Sequence, residues 1–319
     1  MNLCDYNTIR DLLARHGFHF SKSMGQNFLI DPEVPRRIAE ASGADAGCGV
    51  LEIGPGIGPL TAELAQRAGK VVAVELDRAL LPVLAETMAP YPNVEVVPGD
   101  VLKLDLTAIA AEKFQGLTPI VCANLPYNVT SPILEKLVES PCFTAFTVMI
   151  QREVARRLCA PQGSSEGGSF SLFLQYYMKP ELLFDVPPEK FLPAPKVTSA
   201  VIRCVRRERP AVDVADESFF FKVMRGGFLL RRKTLANSLS AALPGIPKES
   251  IQQAIADMGL PAAVRGEQLT LEDFRRAGAG GGWRLTLSPA PCMILIRKMP
   301  LRRAGWKIIQ KRGHSNGNH

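Results

Sequence analysis

The sequence predicts an α/β fold: a Rossmann-like domain with a seven-stranded, mostly parallel sheet, followed by a small helical domain. Two observations support this prediction. Short apolar runs alternate with amphipathic segments from Val50 to Ile150, as in repeated strand–helix units. A glycine-rich segment, Glu52–Gly58, also lies between the first apolar run and the first amphipathic segment, where such folds turn from strand to helix.

Five apolar runs predict buried strands, and the segments between them predict helices. The strands are Val50–Ile53, Val71–Glu75, Val94–Val97, Ile120–Ala123 and Phe146–Ile150. The helices are Leu60–Ala68, Ala79–Met88 and Ser131–Glu139, the last with Ser131 as its N-cap and Pro132 in its first position. Such alternation predicts a parallel sheet that is covered by helices on both faces.

The pattern changes in the next part of the chain. The sequence predicts a helix at Gln151–Cys159, a mobile Gly/Ser-rich loop at Pro161–Ser169, and an antiparallel pair of edge strands at Leu182–Val186 and Val197–Val205. Between these two strands, Pro187–Lys196 contains four prolines, so we expect it to lie outside any sheet.

Three regions are predicted along the chain. Residues 1–208 form the sheet domain with its N-terminal segment, since the charged, proline-containing segment Arg206–Pro210 is typical of a domain boundary. Residues 209–277 form the small helical domain, with helices in Phe219–Leu243 and Lys248–Met258. Residues 278–319 are predicted to be a disordered basic tail, because Ala277–Gly282 is rich in small residues and no sustained period follows it.

The net charge of +7 is concentrated at the C-terminal end of the chain. From Arg275 to His319 the sequence has ten Lys and Arg and no acidic residue, which leaves 28 Lys and Arg against all 31 Asp and Glu in the rest. The total charge therefore says little about nucleic-acid binding by the folded part, and local clusters have to be considered instead.

Cysteine use and hydropathy exclude several classes of protein. Seven cysteines are scattered without a Cys-x-x-Cys pair, which predicts reduced thiols, and four histidines provide no evident metal site. No apolar run of 18 or more residues predicts a transmembrane helix. The segment Met1–Arg15 lacks the apolar run and cleavage site of a signal peptide, so we expect a cytoplasmic protein.

The segment Glu52-Ile-Gly54-Pro-Gly56-Ile-Gly58 predicts a cofactor site. Glycines in a strand-to-helix turn let the backbone turn tightly and approach a ligand closely. A dinucleotide fingerprint requires glycine at position 59, where this sequence has Pro59. The G-x-G-x-G form, with an acidic residue two positions before it, fits S-adenosylmethionine better; a glycine-rich turn of another α/β fold is the alternative.

Two acidic residues follow at the ends of the next predicted strands. Glu75 ends the second strand 21 residues after Gly54, and an acidic residue about this far along binds ribose hydroxyls in doubly wound folds. Asp77 is the predicted N-cap of the next helix. Asp100 follows the third strand, where a carboxylate can accept a hydrogen bond from an adenine amino group; an ordinary turn aspartate is the alternative.

The segment Asn124-Leu125-Pro126-Tyr127 predicts the catalytic centre. It directly follows a predicted strand, and ligands bind at the carboxyl ends of strands in open α/β sheets. The N6 amine of adenine is a poor nucleophile because its lone pair is delocalised into the ring. Oxygen acceptors from Asn124 and the Leu125 carbonyl can orient that lone pair, and Tyr127 can stack on a base that has left its helix.

With these motifs, the sequence resembles the bacterial small-subunit (16S) ribosomal RNA adenine N6,N6-dimethyltransferases over about residues 10–276. The matching stretches are Ser23–Leu29, Glu52–Gly58, Val74–Asp77, Gly99–Asp100, Asn124–Pro132, Phe191–Ala200, Arg231–Leu235 and Arg265–Glu267. The resemblance implies a class I methyltransferase that uses S-adenosylmethionine. It also implies dimethylation of two neighbouring adenines near the 3′ end of 16S rRNA, late in small-subunit biogenesis.

The resemblance further implies a role for each site residue. Gln26, Asn27 and Leu29 border the methionine and sulfonium end of the cofactor, and Gly54 and Gly56 approach it through their backbone. Glu75 holds the ribose, Asp100 holds the cofactor adenine, and Asn124 contacts both the methyl donor and the target amine. Tyr127 and Phe191 enclose the target base; for Phe191 a plain hydrophobic anchor is equally expected.

Two basic clusters are candidate RNA contacts. Arg231, Arg232 and Lys233 are predicted to open a helix of the helical domain and to contact phosphates without reading sequence. For the basic residues of Arg152–Arg157, RNA contact and a solvated helix face remain equally open. The expected partner is 16S rRNA within the small ribosomal subunit or its precursor, with no membrane and no obligatory protein partner.

Two other functions share these features. Large-subunit rRNA adenine N6-methyltransferases of the macrolide-resistance type have the same catalytic motifs, although Asn124–Tyr127 and Phe191–Ala200 are closer to the small-subunit enzymes. A non-catalytic ribosome-assembly factor is the second alternative, and the intact Gly54, Glu75, Asp100 and Asn124 argue against it. For the methyltransferase we expect direct in-line displacement, without a metal or a covalent enzyme intermediate.

Overall fold

The computed structural model describes residues 1–18 and 26–279, and within them nine strands and twelve helices. The strands are β1 Phe28–Leu29, β2 Cys48–Ile53, β3 Lys70–Glu75, β4 Val94–Pro98, β5 Thr118–Asn124, β6 Ala145–Gln151, β7 Met178–Val186, β8 Phe191–Leu192 and β9 Ser199–Arg206. The helices are α1 Tyr6–Arg15, α2 Glu33–Ser42, α3 Pro59–Ala65, α4 Leu81–Met88, α5 Leu106–Lys113, α6 Thr130–Val138, α7 Arg152–Cys159, α8 Ser169–Tyr177, α9 Glu217–Gly227, α10 Leu235–Ala242, α11 Lys248–Asp257 and α12 Leu271–Ala279.

The main sheet has seven strands in the order β4-β3-β2-β5-β6-β9-β7. The strands from β4 to β6 in this order are parallel, whereas β9 pairs antiparallel with both β6 and β7. These pairings confirm the predicted mostly parallel sheet and its antiparallel edge pair. The strand order reverses between β2 and β5, and open α/β sheets bind their ligands in the crevice at such a reversal.

The central strands are buried on both faces, as their continuous apolar runs predict. Every residue of β2 is buried. Leu51, Val72 and Val121 belong to the hydrophobic cluster on one face of the sheet, and their chain neighbours Val50, Val71 and Ile120 belong to the cluster on the other. Since successive side chains of a strand point to opposite faces, helices must cover both sides of the sheet.

The helices α9 to α12 pack against one end of the sheet domain. Phe221 of α9 contacts Phe173 of α8 at a ring-centroid distance of 5.4 Å, and Phe220 contacts Tyr176 at 5.3 Å. One hydrophobic cluster runs from the sheet through these rings to Phe274 of α12. The core is therefore continuous across the predicted boundary at residues 208 and 209.

Two helix starts differ from the prediction. Helix α6 begins at Thr130 with Val129 as its N-cap, so the assignment of Ser131 as N-cap is wrong. Pro132 is accommodated in the third helical position because backbone N–H groups of the first turn have no intrahelical partner in any case. A turn of 3₁₀ helix, Arg78–Leu80, precedes α4, and Asp77 caps this turn as predicted by accepting the Ala79 N–H.

The proline-rich segment Pro187–Lys196 does take part in a sheet, contrary to the prediction. Its residues Phe191–Leu192 form β8, which pairs antiparallel with β1 in a separate two-stranded sheet. The four prolines flank these two residues and do not interrupt the pairing. The Gly/Ser-rich loop contacts the helical region, since the Gln162 side chain accepts the Leu271 N–H at 2.9 Å.

The basic cluster and the predicted tail need smaller corrections. Helix α10 begins at Leu235 with Thr234 as its N-cap, so Arg231, Arg232 and Lys233 lie in the turn before the helix and do not open it. The first small residues of Ala277–Gly282 belong to α12. The rest of the predicted tail lies outside the described residues, as does the start of the stretch Ser23–Leu29. No described helix is long and apolar enough to cross a membrane.

Gly266 is required by close packing between two parts of the helical region. A Cβ at this position would collide with the backbone carbonyl of Gly227, which cannot rotate away as a side chain can. We therefore expect Gly266→Ala to lower the free energy of unfolding by about 1–3 kcal/mol. Gly278→Ala is the matched control, because nothing lies within 4 Å of a Cβ there. Thermal denaturation compares the variants, and a melting temperature of Gly266→Ala equal to that of the wild type would refute the steric argument.

Candidate active site

A cavity of about 300 Å³ lies at the carboxyl ends of β2, β3 and β5. Its lining includes all twelve residues that the sequence analysis assigned to the cofactor or the target base. They are Gln26, Asn27, Leu29, Gly54, Gly56, Glu75, Asp100, Asn124, Leu125, Pro126, Tyr127 and Phe191. These residues come from separate parts of the chain, which the parallel sheet and the β1–β8 pair bring to one place.

The glycine-rich turn after β2 has a backbone that only glycine adopts readily. Gly54 and Gly56 have φ angles of 70° and 64°, in the left-handed region. The Gly54 N–H donates to the Val74 carbonyl at 3.0 Å, which fixes the turn to β3. A Cβ at Gly56 would lie 3.3 Å from the ring of Phe28, whereas one at Gly54 would meet nothing closer than 4.0 Å. The backbone at Gly54 thus remains open to a ligand in the cavity.

Glu75 is a buried carboxylate at the end of β3. Its Oε1 accepts the Asp77 N–H at 2.7 Å, and its Oε2 accepts the Gly56 N–H at 3.4 Å. Burial raises the pKa of Glu75, and these two backbone donors act in the opposite direction. The side chain is therefore held in place with Oε2 beside the glycine turn, where it can accept hydrogen bonds from a ligand's hydroxyl groups.

Glu52 also lines the cavity, and the sequence analysis did not assign it a site role. Its side chain is almost fully buried, and no described residue forms a hydrogen bond with its Oε2. Burial raises the pKa of Glu52 to about 8. The nearby Glu75 carboxylate also raises this pKa, whereas the Thr61 hydroxyl lowers it. Its position two residues before Gly54 served in the sequence analysis only to characterise the glycine-rich motif.

Asp100 lies in the loop that follows β4. Its Oδ1 accepts the Leu102 N–H at 3.0 Å, and Lys103 is 3.6 Å away. Lys136 of α6 donates to the carbonyls of Leu102 and Leu104 at 2.9 and 2.5 Å, and burial lowers the pKa of this lysine. The loop with Asp100 is thereby fixed to the helix that follows Asn124–Tyr127.

The segment before β1 is joined to two other walls of the cavity. The Gln26 amide donates to the Asp77 carboxylate at 2.7 Å, so this segment is fixed to the end of β3. Leu29 pairs with Phe191 across the β1–β8 ladder, and an ion pair of 2.7 Å between Asp31 and Lys190 lies beside it. Phe191 is itself buried. Leu29, predicted to border the cofactor, and Phe191, predicted to enclose the target base, therefore lie in the same small sheet.

The turn Asn124–Tyr127 is tightly connected to the sheet and to α6. The Leu125 N–H donates to the Met149 carbonyl of β6 at 3.1 Å, and the Pro126 carbonyl accepts the Thr130 hydroxyl at 3.0 Å. The hydroxyls of Tyr127 and Ser199 are hydrogen-bonded at 2.6 Å, and burial raises the pKa of Tyr127. Asn124 is half-buried at the cavity wall.

The two basic clusters do not line this cavity. Arg231 pairs with Glu267 at 3.2 Å and donates to the Ser165 carbonyl at 3.1 Å, whereas Arg232 and Lys233 are exposed. In α7, Arg152 pairs with Asp185 at 3.3 Å. Arg231 therefore connects the helical region with the loop at Pro161–Ser169, a contact that charge spacing alone could not predict.

Comparison with known proteins identifies a matching family and close relatives. The family model described as ribosomal RNA adenine dimethylase matches residues 17–273. Curated relatives include proteins named ribosomal RNA small subunit methyltransferase A from Bacillus mycoides (strain KBAB4) and Bacillus cereus (strain AH187). Each is 48% identical to this chain over 272 residues, which cover 84% of this chain and 93% of the relative.

Two solved structures are similar to this chain. A dimethyladenosine transferase from Plasmodium falciparum superposes with a TM-score of 0.67 at 25% identity, covering 78% of this chain and 95% of that one. The 23S rRNA methyltransferase ErmE superposes with a TM-score of 0.60 at 27% identity, covering 79% and 98%.

The buried carboxyl group of Glu52 predicts a specific pH dependence of stability. Between pH 4.5 and about 8 the folded protein keeps a proton on Glu52 that the unfolded chain releases, so this group lowers stability as pH rises through that window. The glutamine side chain of Glu52→Gln is neutral at every pH. We therefore expect the unfolding free energy of this variant to fall less steeply from pH 5 to 8 than that of the wild type. Urea unfolding over a pH series measures this difference, with the exposed Glu181→Gln as control. Parallel profiles for the wild type and Glu52→Gln would contradict the assignment.

Proposed function

The chain belongs to the ribosomal RNA adenine dimethylase family, and we propose that it methylates N6 of two adjacent adenines near the 3′ end of small-subunit rRNA. As a member of this family it is an S-adenosylmethionine-dependent rRNA adenine dimethyltransferase. Its seven-stranded sheet and its structural neighbours confirm the predicted class I methyltransferase fold. The observation that carries the proposal is the single cavity that joins the glycine turn, Glu75 and the Asn124–Tyr127 segment.

The choice of the small subunit rests on sequence similarity. Relatives named for the small subunit are 48% identical to this chain over 93% of their length, whereas the 23S rRNA methyltransferase is 27% identical. Both kinds of enzyme share the sheet and the catalytic turn, so neither feature separates them. We therefore keep the large-subunit activity as the alternative that the substrate assay must test.

The cavity suits S-adenosylmethionine in shape and in polarity. Gly54 leaves its backbone open, and the buried Glu75 can accept hydrogen bonds from ribose hydroxyls. Leu76, next in the chain, is 56% exposed and lines the cavity, so a ligand's flat base can cover it. We propose that Asp100 binds the amino group of that base and that Gln26, Asn27 and Leu29 border the methionine end.

The catalytic turn supplies the groups that the target adenine needs. When bound, S-adenosylmethionine provides an electrophilic methyl group on a positively charged sulfur. In our proposal Asn124 and the Leu125 carbonyl accept hydrogen bonds from the target N6 amine, which turns its lone pair towards the cofactor side of the cavity. Pro126 keeps the turn rigid, and Tyr127 and Phe191 enclose the base after it has left its helix.

We further propose how the enzyme meets its substrate. The exposed Arg232 and Lys233 contact RNA phosphates, since both lie in the turn before α10 and no described residue forms an ion pair with them. Arg231 remains a candidate contact of the same surface, although its pairing with Glu267 weakens the case. Residues 1–208 form the catalytic domain and 209–277 the RNA-contacting domain. The protein acts in the cytoplasm on the small subunit or its precursor.

Methyl transfer from labelled S-adenosylmethionine to unmethylated small subunits, with large subunits in a parallel reaction, tests the proposed reaction. We expect label in two adjacent adenines near the 3′ end for the wild type, and at least a hundredfold lower rate for Asn124→Ala, as for the loss of an oxyanion-hole donor. Asn7→Ala, an exposed change in α1, is the control. Label only in large subunits would establish the alternative activity, and normal turnover by a folded Asn124→Ala would remove that residue's role.

The proposed phosphate contacts predict a change in salt dependence. Each phosphate contact to single-stranded RNA contributes about 0.7 to the slope of log K against log salt, so replacing Arg232 and Lys233 by alanine should lower the slope by about 1.4. Lys248→Ala, at the exposed start of α11, should leave it unchanged. Binding to purified small subunits over a salt series measures the slope, and an unchanged value in the double variant would exclude these contacts.

A further inference from the structure

Tyr127 is anchored by a residue that lies far from it in the chain. Its Oη is 2.6 Å from the Oγ of Ser199, 72 residues later. Ser199 is completely buried, whereas the Tyr127 ring is half-buried and lines the cavity. The ring is thus bonded at its far end to the sheet, and its remaining surface faces the space where a ligand binds.

Ser199 is itself held at a rigid point of the sheet. It is the first residue of β9, and it pairs with Gln151 of β6 on one side and with Val186 of β7 on the other. The preceding carbonyl, that of Thr198, accepts the Arg152 N–H at 3.0 Å. A hydroxyl on such a backbone has little freedom to move, so it provides a fixed reference for the tyrosine.

We propose that Ser199 is a positioning residue for methyl transfer: it fixes the far end of the Tyr127 side chain, and with it the position of the ring on which the target adenine stacks. This inference rests on the proposed function, because it presupposes that Tyr127 contacts the target base. Stacking requires the ring to stay at a definite position beside the base, and Tyr127 is only three residues from Asn124. A ring that swings away from Ser199 would therefore displace the N6 amine from its acceptors.

The same constraint applies with more force to the second methylation of each adenine. The second substrate carries a methyl group on N6, so only one N–H remains for the acceptors of the turn. A base held in a loose orientation can still present one of two N–H groups in the first round, but has fewer productive orientations in the second. Loss of the Ser199 hydroxyl should therefore increase the share of monomethylated product.

Two substitutions remove this hydrogen bond from opposite ends while keeping the aromatic ring. Ser199→Ala and Tyr127→Phe should each lower kcat/KM for small subunits by about 3- to 10-fold, the effect of one net hydrogen bond. If the hydroxyls act only through each other, the double variant should be no worse than either single variant. The affinity for S-adenosylmethionine should be unchanged in all three, because the ring is proposed to contact the base and not the cofactor.

Ser171→Ala is the matched control for loss of a buried serine hydroxyl. Ser171 is also buried, and its Oγ donates to the Arg157 carbonyl at 2.6 Å, but it does not line the cavity. It should change the melting temperature without changing kcat/KM or the ratio of monomethyl- to dimethyladenosine. That ratio distinguishes positioning from general destabilisation.

The measurements are kcat/KM with small subunits, cofactor affinity by calorimetry, melting temperature and the product ratio. Equal losses in the two single variants and the double variant, with a higher monomethyl share, support the inference. Multiplicative losses, wild-type activity of Ser199→Ala, or an equal loss of cofactor affinity overturn it. If Ser199→Ala does not fold, Tyr127→Phe decides alone, since full activity in that variant excludes the role. Absence of transfer by the wild type would instead refute the proposed function, and the inference with it.

Discussion

The pairing of β2 with both β3 and β5 is the constraint on which the site depends. Parallel pairing brings the carboxyl ends of three strands to one edge, and so places Gly54, Glu75 and Asn124 around a single cavity. Helices cover both faces of the sheet, so no ligand can bind against either face. In open α/β sheets the polar groups that bind a ligand therefore lie at the carboxyl ends of the strands. The order of the strands therefore determines which polar groups lie together in the cavity.

This arrangement places carboxyl groups in a poorly hydrated position. Glu52 and Glu75 are both buried at the cavity edge, and burial raises the pKa of each. Backbone N–H groups stabilise the Glu75 carboxylate, whereas no described residue forms a hydrogen bond with Oε2 of Glu52. Buried carboxyl groups with shifted pKa values are concentrated at functional sites.

The sequence predicted the elements whose signal is local. Continuous apolar runs identified the central strands, and the glycine turn and Asn124–Tyr127 were recognisable by composition and by their position after a strand. Helices α1, α2, α5, α8 and α12 were not predicted; α8 is apolar on nearly all sides, which hides the helical period. The side-chain partners of Ser199 and Arg231 could not be predicted, because they are 72 and 36 residues away and no periodic pattern connects such distances.

The two-stranded sheet β1–β8 connects the proposed cofactor position with the proposed position of the target base. Leu29 borders the proposed cofactor position and Phe191 the proposed target base, and the two residues are directly paired. Gln26 fixes the start of this segment to Asp77, and Lys190 fixes β8 to Asp31. Backbone pairing of the two strands fixes the relative positions of these residues. In the proposed reaction one small sheet thus carries a residue beside the methyl donor and a residue beside the target base, and an in-line transfer between two ligands requires such fixed relative positions.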